Sequence, residues 1–300
     1  MIDFDIMHFG FMFGMIIPQS YDFIFAYRSL TLYNMRYVVR FISASVYLLS
    51  LVGGVGLEHN RDVNSVFVFV EFGQSYAVSP CGTGVTGLPS FSNVEIYNGQ
   101  TTNNTTVPMQ FGVNTGESDG GPRSGNWSPG NVHAASIDNI VLFKAAYGAT
   151  AMHEDASSTE FWDASKGGSL YDRFVMDWFD FVSEMAAQTK VVHVIGYNWM
   201  QGQTDANSLS TQDIADDYQA LLLDFVSSIK GIGGEAPFYI NYIDQRLTTH
   251  PFRATILAAQ QFVVANGQGQ IVGYNTESSV FCDQVHYDRA STISIGLNTF

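Results

Sequence analysis

One apolar run constrains the fold of this chain more than any other segment. Residues 66–72 read Val-Phe-Val-Phe-Val-Glu-Phe, and Gly73, Gln74 and Ser75 follow directly. β-Branched and aromatic residues in an almost unbroken row are typical of a strand buried on both faces of a parallel sheet. Residues that follow such a strand lie at the carboxyl edge of the sheet, where α/β proteins bind their ligands. The run therefore predicts a parallel α/β fold with Ser75 at its ligand-binding edge.

The rest of the chain alternates between strand and helix patterns. Apolar runs predict strands over residues 65–72, 139–147, 191–197, 238–243 and 270–274. Helical spacing, an N-cap at Thr211 and a helix-opening Pro251 predict helices over residues 169–189, 211–231 and 251–265. This alternation implies a three-layer, flavodoxin-like architecture with about five parallel strands. Residues 79–135 are rich in Gly, Ser, Thr and Asn, and we expect them to carry short strands and to shape a site entrance.

The first 60 residues form an atypical N-terminal segment, and the predicted domain covers residues 61–300. The segment is crowded with Met, Phe, Tyr and Ile and contains no Lys. A short basic segment, residues 35–40 with Arg36 and Arg40, precedes an apolar run over residues 41–57, which is the layout of a signal peptide or a single membrane anchor. A packed core element is the alternative. The first interpretation favours a secreted or surface-attached protein, with an anchor near residues 35–57.

The charge of the chain excludes some partners. Among 300 residues, 28 are acidic and 13 are basic, which gives a formal net charge of −15. This balance argues against nucleic acid as a partner, because phosphates need a basic face, and it disfavours an anionic membrane surface. It suits a neutral substrate such as an ester or an acylated sugar, although an acidic surface also serves solubility alone.

Two cysteines lie close in sequence to the residues that carry the chemistry. Cys81 follows Ser75 by six positions, and Cys282 directly precedes Asp283. A disulfide between two active-site loops is one interpretation, and it requires an oxidising compartment. Two unpaired, buried thiols are the other.

Three polar segments can supply the parts of a nucleophilic site. A hydroxyl such as that of Ser75 needs a base to take its proton, and the backbone N–H of that serine can help to hold an oxyanion. Gln201 follows another buried strand, and its amide can donate to an oxyanion, while Trp199 can wall a pocket. Asp283 and His286 are spaced so that the carboxylate orients one imidazole nitrogen while the other faces the serine.

In this order, the segments resemble the SGNH (GDSL-like) hydrolases, and within them the sialate O-acetylesterase and acetylxylan esterase group, carbohydrate esterase family six. That group typically shows the blocks G-Q-S-N, G-G-T, W-x-Q-G-E-x-D and D-x-x-H. This chain has G-Q-S at 73–75, Y-G-A-T at 147–150, W-M-Q-G-Q-T-D at 199–205 and D-Q-V-H at 283–286. The resemblance covers roughly residues 64–298.

The resemblance implies an α/β fold of the SGNH type and a serine esterase. Such an enzyme would remove acetyl groups from a sialate- or xylan-type carbohydrate through an acyl-serine intermediate, with no metal or organic cofactor. Ser75 would be the nucleophile, His286 the base and Asp283 the residue that orients it.

The same resemblance implies an oxyanion hole and a set of substrate contacts. The donors would be the backbone N–H of Ser75, the Gln201 side chain and one glycine N–H, for which Gly121 is the first choice and Gly130 the second. We also expect five other residues of the first three motif blocks to contact the substrate: Gln74, Tyr76, Gly148, Thr150 and Trp199.

Four positions depart from the pattern of the group. Tyr76 replaces Asn, Ala149 replaces Gly, Gln203 replaces Glu, and Met200 stands where His is frequent. Gln203 keeps its hydrogen-bonding capacity but loses a charge, and Ala149 disfavours a positive φ. The altered second and third blocks leave a non-catalytic glycan-binding or structural module as one rival, and a lipase or thioesterase on the same fold is the other. The third block, with its Trp and Gln, favours the carbohydrate branch.

Overall fold

The computed structural model describes residues 64–78, 90–111, 113–119, 128–136, 140–156, 160–207, 210–267 and 271–298. The predicted signal or anchor near residues 35–57, Cys81 and Gly121 lie outside these residues. Among the helices of the described residues, none is long and apolar enough to cross a membrane.

Seven strands of the described chain form one sheet. They are β1 (Ser65–Gly73), β2 (Ser90–Tyr97), β3 (Val107–Gln110), β4 (Ile140–Ala146), β5 (Val191–Met200), β6 (Phe238–Asn241) and β7 (Ile271–Tyr274). Their order is β3-β2-β4-β1-β5-β6-β7, and all neighbours are parallel except the antiparallel β2–β3 pair. The α/β fold class is confirmed, but the sheet has seven strands instead of about five. The unassigned strands, β2 and β3, lie in the region for which only short strands were expected.

The helices follow the predicted pattern in their longer members. The described chain contains α1 (Ser75–Val78), α2 (Pro129–Ser136), α3 (Leu170–Ala187), α4 (Gln203–Ala206), α5 (Gln212–Gly233), α6 (Arg253–Asn266) and α7 (Arg289–Asn298). Thr211 caps α5 as predicted, because its hydroxyl accepts a hydrogen bond from the backbone N–H of Ile214 at 3.3 Å. Ser169 caps α3 in the same way through the N–H of Asp172.

The central strand β1 is buried on both faces, which fixes its end in space. On one face, Phe72 packs edge-on against Phe174 of α3 and Phe225 of α5, with ring centroids 4.8 and 5.4 Å apart. On the other face, Phe69 belongs to a separate core cluster with Val132 of α2. Burying side chains of this size stabilises a fold by about 1.5–3 kcal/mol each. The residues that follow β1 therefore start from a rigid support.

A buried ion pair joins β1 to β4 beneath the end of the sheet. Glu71 and Lys144 are partners in the strand register and are fully buried, with the ammonium nitrogen 3.4 Å from the carboxylate. The carboxylate also accepts hydrogen bonds from the Ser128 hydroxyl at 2.6 Å and the Gly130 N–H at 2.8 Å. Lys144 donates to the Thr115 carbonyl at 2.7 Å. The pair thus attaches two loops to the sheet.

Removing one member of this pair should destabilise the protein strongly. Lys144→Met leaves the Glu71 carboxylate buried without its cation, so we expect the free energy of unfolding to fall by about 3–5 kcal/mol. The double variant Glu71→Gln/Lys144→Met leaves no charge behind and should recover more than half of that loss. Urea unfolding of both variants measures this. A loss below about 1 kcal/mol for Lys144→Met would show that the pair is not buried as described.

Candidate active site

Ser75 lies directly beyond the end of β1, because the strand stops at a glycine that no other residue can replace without strain. Gly73 has a φ of +145°, and a Cβ placed there would collide with the carbonyl oxygen of Met200 at the end of β5. Next to it, the Gln74 N–H donates to the same carbonyl at 3.2 Å. The chain then turns into α1, and Ser75 is its first residue. The serine therefore lies at the carboxyl edge of the sheet, where the sequence placed it.

Asp283 and His286 form a hydrogen-bonded pair in the loop between β7 and α7. One carboxylate oxygen of Asp283 lies 2.7 Å from His286 Nδ1. The other accepts the backbone N–H groups of Val285 and His286 at 2.7 and 2.6 Å. Partial burial raises the pKa of the Asp283 carboxyl, but these hydrogen bonds outweigh it, so that the pKa lies below its usual range. The ionised carboxylate orients the ring, and base chemistry would use Nε2.

The predicted nucleophile and base meet at one cavity. Ser75 and His286 both line an open cavity of about 210 Å³. Asp283 is hydrogen bonded to the histidine and is not among the lining residues. The other lining residues come from distant parts of the sequence. They combine neutral hydrogen-bonding groups with apolar surface: Gln74, Ala149, Gln203, Thr204, Asn207, His250 and Val285. The fold thus brings the first, second, third and last motif segments to one edge of the sheet.

Gln201 does not lie at this cavity, contrary to its predicted role as an oxyanion donor. Its side chain is fully buried, and its amide nitrogen donates to an Asp205 carboxylate oxygen at 2.6 Å and to the Thr150 carbonyl at 3.2 Å. Its amide oxygen accepts from the Tyr218 hydroxyl at 3.0 Å. Both N–H groups of the amide are therefore engaged. Gln201 joins β5 to the second motif segment instead of facing a substrate.

Trp199 belongs to the core, which differs from the expected contact with substrate. The indole is fully buried, and its ring meets Trp162 edge-on at 5.6 Å and Phe225 at 4.6 Å. Its N–H donates to the Tyr218 hydroxyl at 3.3 Å. Side chains alternate along a strand, and this position on β5 faces the layer of α3 and α5. The motif includes the tryptophan, but it does not indicate which face of the sheet the side chain takes.

The predicted contacts in the first two segments have different positions. Gln74 lines the cavity, and its amide is hydrogen bonded to the side chains of Thr204, at 2.8 Å, and Gln203. Tyr76 lies in α1, and its contact with substrate stays a prediction. Thr150 is buried and accepts the Trp162 indole N–H at 3.1 Å, so it supports the segment from inside.

The glycines predicted at the site, Gly148 as a substrate contact and Gly121 or Gly130 as an oxyanion donor, have other partners where the structure describes them. The Gly148 N–H donates to the Glu117 carboxylate at 2.7 Å. The Gly130 N–H donates to Glu71, as described above. Gly121, the first choice, lies outside the described residues. Ala149 is the member of the second segment that lines the cavity, and it adopts a φ of +58° in spite of its methyl group.

His250 and Asn207 line the cavity and were not identified from the sequence. His250 is mostly buried, and its Nδ1 lies 3.0 Å from the Thr249 hydroxyl. Burial and the nearby Arg253 cation lower the pKa of this histidine, which keeps the imidazole neutral near neutral pH. One feature of the sequence could have identified His250: it follows β6, and residues that follow parallel strands lie at the ligand-binding edge of the sheet.

Metal-ligating groups do not cluster in the described part of the chain. No set of three or more His, Cys, Asp or Glu residues there could hold a metal ion. Cys282, next to Asp283, is disulfide-bonded.

Comparison with known proteins supports the fold. No protein-family model and no curated protein matches the sequence. Similar solved structures include a protein from Arabidopsis thaliana (TM-score 0.58, 16% identity, 78% of this chain and 94% of that chain covered) and NanS (TM-score 0.55, 12% identity, 79% and 95%). A carbohydrate acetylesterase from Xanthomonas citri has a TM-score of 0.48 at 13% identity over 77% of this chain and 54% of that chain. The chain therefore shares its α/β fold, with a mainly parallel sheet, with the Arabidopsis protein and NanS.

The left-handed backbone at Ala149 gives a direct test of the second segment. Such a conformation costs a residue with a Cβ about 1 kcal/mol relative to glycine. We therefore expect Ala149→Gly to raise the free energy of unfolding by about 0.5–1 kcal/mol, measured by urea denaturation. The same change at Ala151, which is buried and has no positive φ, should lower it. A loss of stability in both variants would contradict the described backbone.

Proposed function

We propose that the protein is a serine esterase that removes acetyl groups from an acetylated carbohydrate. The observation that carries this proposal is the shared cavity of Ser75 and the Asp283-paired His286. His286 Nε2 takes the hydroxyl proton while Ser75 Oγ attacks the acetyl carbonyl carbon. The proton then passes to the leaving sugar oxygen, which departs as an alcohol. Water, activated by the same imidazole, attacks the acyl-serine and releases acetate.

The oxyanion of the tetrahedral intermediate needs donors other than Gln201. The backbone N–H of Ser75 is one candidate, because the serine opens α1 at the cavity. The backbone N–H of Ala149 is the second, because it belongs to the second motif segment and Ala149 lines the same cavity. Backbone donors at rigid strand ends need no reorganisation during the reaction.

The size and lining of the cavity favour a small acyl group on a polar alcohol. Its volume of about 210 Å³ lies below the roughly 300–1,000 Å³ of pockets for drug-sized ligands. Amide and hydroxyl groups of Gln74, Gln203, Thr204 and Asn207 can exchange hydrogen bonds with sugar hydroxyls. These features support an acetylated carbohydrate over the long acyl chain of a lipase or thioesterase substrate.

The charges at the site favour a neutral sugar over an anionic one. The amides and hydroxyls are neutral, and the lowered pKa of His250 keeps it neutral as well. The whole chain carries a formal charge of −15, which repels anions at low ionic strength. The net charge therefore favours a xylan-type acetyl sugar over a sialate, whose carboxylate it would repel.

The location of the protein is part of the same proposal. A disulfide at Cys282 supports an oxidising compartment, because disulfides persist in exported proteins and are rare in reducing ones. Secretion or attachment to a surface agrees with a substrate that is a glycan.

Loss of the serine hydroxyl tests the reaction. Ser75→Ala should lower the rate of p-nitrophenyl acetate hydrolysis by about a thousandfold or more, because no nucleophile then forms the acyl intermediate. Ser183→Ala, an exposed serine on α3, is the matched control and should keep the wild-type rate. Equal rates in the wild type and Ser75→Ala would favour the non-catalytic module.

A pair of substrates of similar shape tests the preference for neutral sugars. We expect kcat/KM for 4-acetoxybenzoate to be about tenfold lower than for neutral 4-acetoxybenzamide at low salt, after both are divided by their rates with hydroxide. Added salt should narrow the gap. Asn207→Lys should narrow it too, whereas Ser183→Lys adds the same charge away from the cavity and should not. Equal or faster turnover of the anion by the wild type would overturn the preference.

A further inference from the structure

Asp283 and His286 lie at the tip of a short hairpin. Phe281 and Tyr287 form an antiparallel bridge across its base. Inside that bridge, the Cys282 N–H donates to the His286 carbonyl at 2.8 Å. These contacts are local, so they fix the carboxylate relative to the imidazole. They do not fix either group relative to Ser75, which lies beyond the end of β1 as the first residue of α1.

An arginine after β6 connects this hairpin to the sheet. Asp244 is fully buried, and the Arg246 guanidinium binds it with two nitrogens, Nε to Oδ1 at 3.0 Å and Nη2 to Oδ2 at 2.5 Å. The same guanidinium donates to the Ser279 carbonyl and lies over the Phe281 ring, 4.9 Å from its centroid. One side chain therefore contacts both the residue before the hairpin and its first strand.

The second strand of the hairpin reaches the same carboxylate. The Tyr287 hydroxyl donates to the Thr276 hydroxyl at 2.6 Å and approaches Asp244 Oδ2 at 3.4 Å. Its ring stacks on Phe281 with centroids 5.2 Å apart and planes 13° apart. The Thr276 hydroxyl in turn donates to the Tyr242 carbonyl, directly after β6. Both strands of the hairpin are thus tied to the segment that ends β6.

We propose that Arg246, held by Asp244, is a positioning residue that sets the reach of His286 toward Ser75. This inference rests on the proposed esterase function. Arginine suits the role because its planar fork can bind a carboxylate with two nitrogens and stack on a ring at the same time. Lysine would still neutralise Asp244 but would lose the fork and the stacking. A displacement of about 1 Å at the base would cost about a hundredfold in rate.

Arg246→Lys tests this role through a split between kcat and KM. We expect kcat for p-nitrophenyl acetate to fall about 10- to 100-fold while KM stays within about twofold, because the base moves but the cavity does not. Amide hydrogen exchange over residues 276–288 should accelerate, and exchange in β1 and α3 should not. In Arg246→Ala, millimolar guanidinium should restore part of the lost kcat.

The matched control is Arg173→Lys. Arg173 also pairs with a carboxylate, Glu160 at 2.8 Å, and also lies over a ring, that of Tyr147 at 5.0 Å, but it does not touch the hairpin. Its variant should keep kcat within about twofold of wild type. An equal fall of kcat in both variants, or unchanged kcat and unchanged exchange in Arg246→Lys, would overturn the proposal.

Two further measurements keep this test decisive. If Arg246→Lys does not fold, the double variant Asp244→Asn/Arg246→Leu leaves no buried charge, and it should show the same fall in kcat and the same faster exchange in the hairpin. If wild type and Ser75→Ala hydrolyse the ester equally, the esterase function fails. Hydrogen exchange alone then decides whether Arg246 holds the hairpin.

Discussion

The close approach of three strand ends at Gly73 is the constraint on which the site depends. The β1 backbone meets the Met200 carbonyl of β5 so tightly that a Cβ has no room, and its own carbonyl accepts the Tyr147 N–H just beyond β4 at 3.0 Å. Glycine alone tolerates both the contact and the φ of +145°. Gln74 and Ser75 beyond β1 and Ala149 beyond β4 all line the cavity. The backbone geometry of the strand ends therefore sets the positions of these residues, and no ligand is needed to place them.

Buried polar groups hold the motif segments around this junction. Asp205 accepts hydrogen bonds from the Gln201 amide and from the N–H groups of Met152 and His153. Burial raises the pKa of its carboxyl, and the hydrogen bonds oppose that shift. Asp205, a motif residue, thus acts indirectly: it fixes the loop that carries Ala149. The same logic applies to Asp244, which acts on the histidine hairpin through Arg246.

The sequence was a good guide to elements whose burial is strongly patterned. The strand that ends at Gly73 and the helices α3 and α5 agree with prediction to within about two residues, because one-sided or two-sided burial leaves a period that the residue types report. β2 and β3 were not assigned as sheet strands. β2 mixes Ser, Asn and Glu with its apolar residues, and β3 has only four residues, among them Pro108, which an edge strand tolerates.

The sequence predicted the edge of the sheet where the site lies and the types of residue in it, but not the directions of the side chains. Ser75 and His286 were placed at one cavity because strand ends share an edge. Trp199 and Gln201 point into the interior. The motif does not encode which face of β5 a side chain takes, or which partner an amide such as that of Gln201 binds, because both depend on packing. His250 was missed because its neighbours in the cavity come from distant segments.

The central claim is that Ser75 is a nucleophile activated by His286. Labelling of the folded protein with a fluorophosphonate, followed by peptide mass spectrometry, tests it most directly, because phosphonylation needs an activated hydroxyl. We predict one adduct, on Ser75, that is lost in His286→Asn and in the unfolded protein. Labelling that is absent from folded wild-type protein, or that is as fast in His286→Asn, would contradict it.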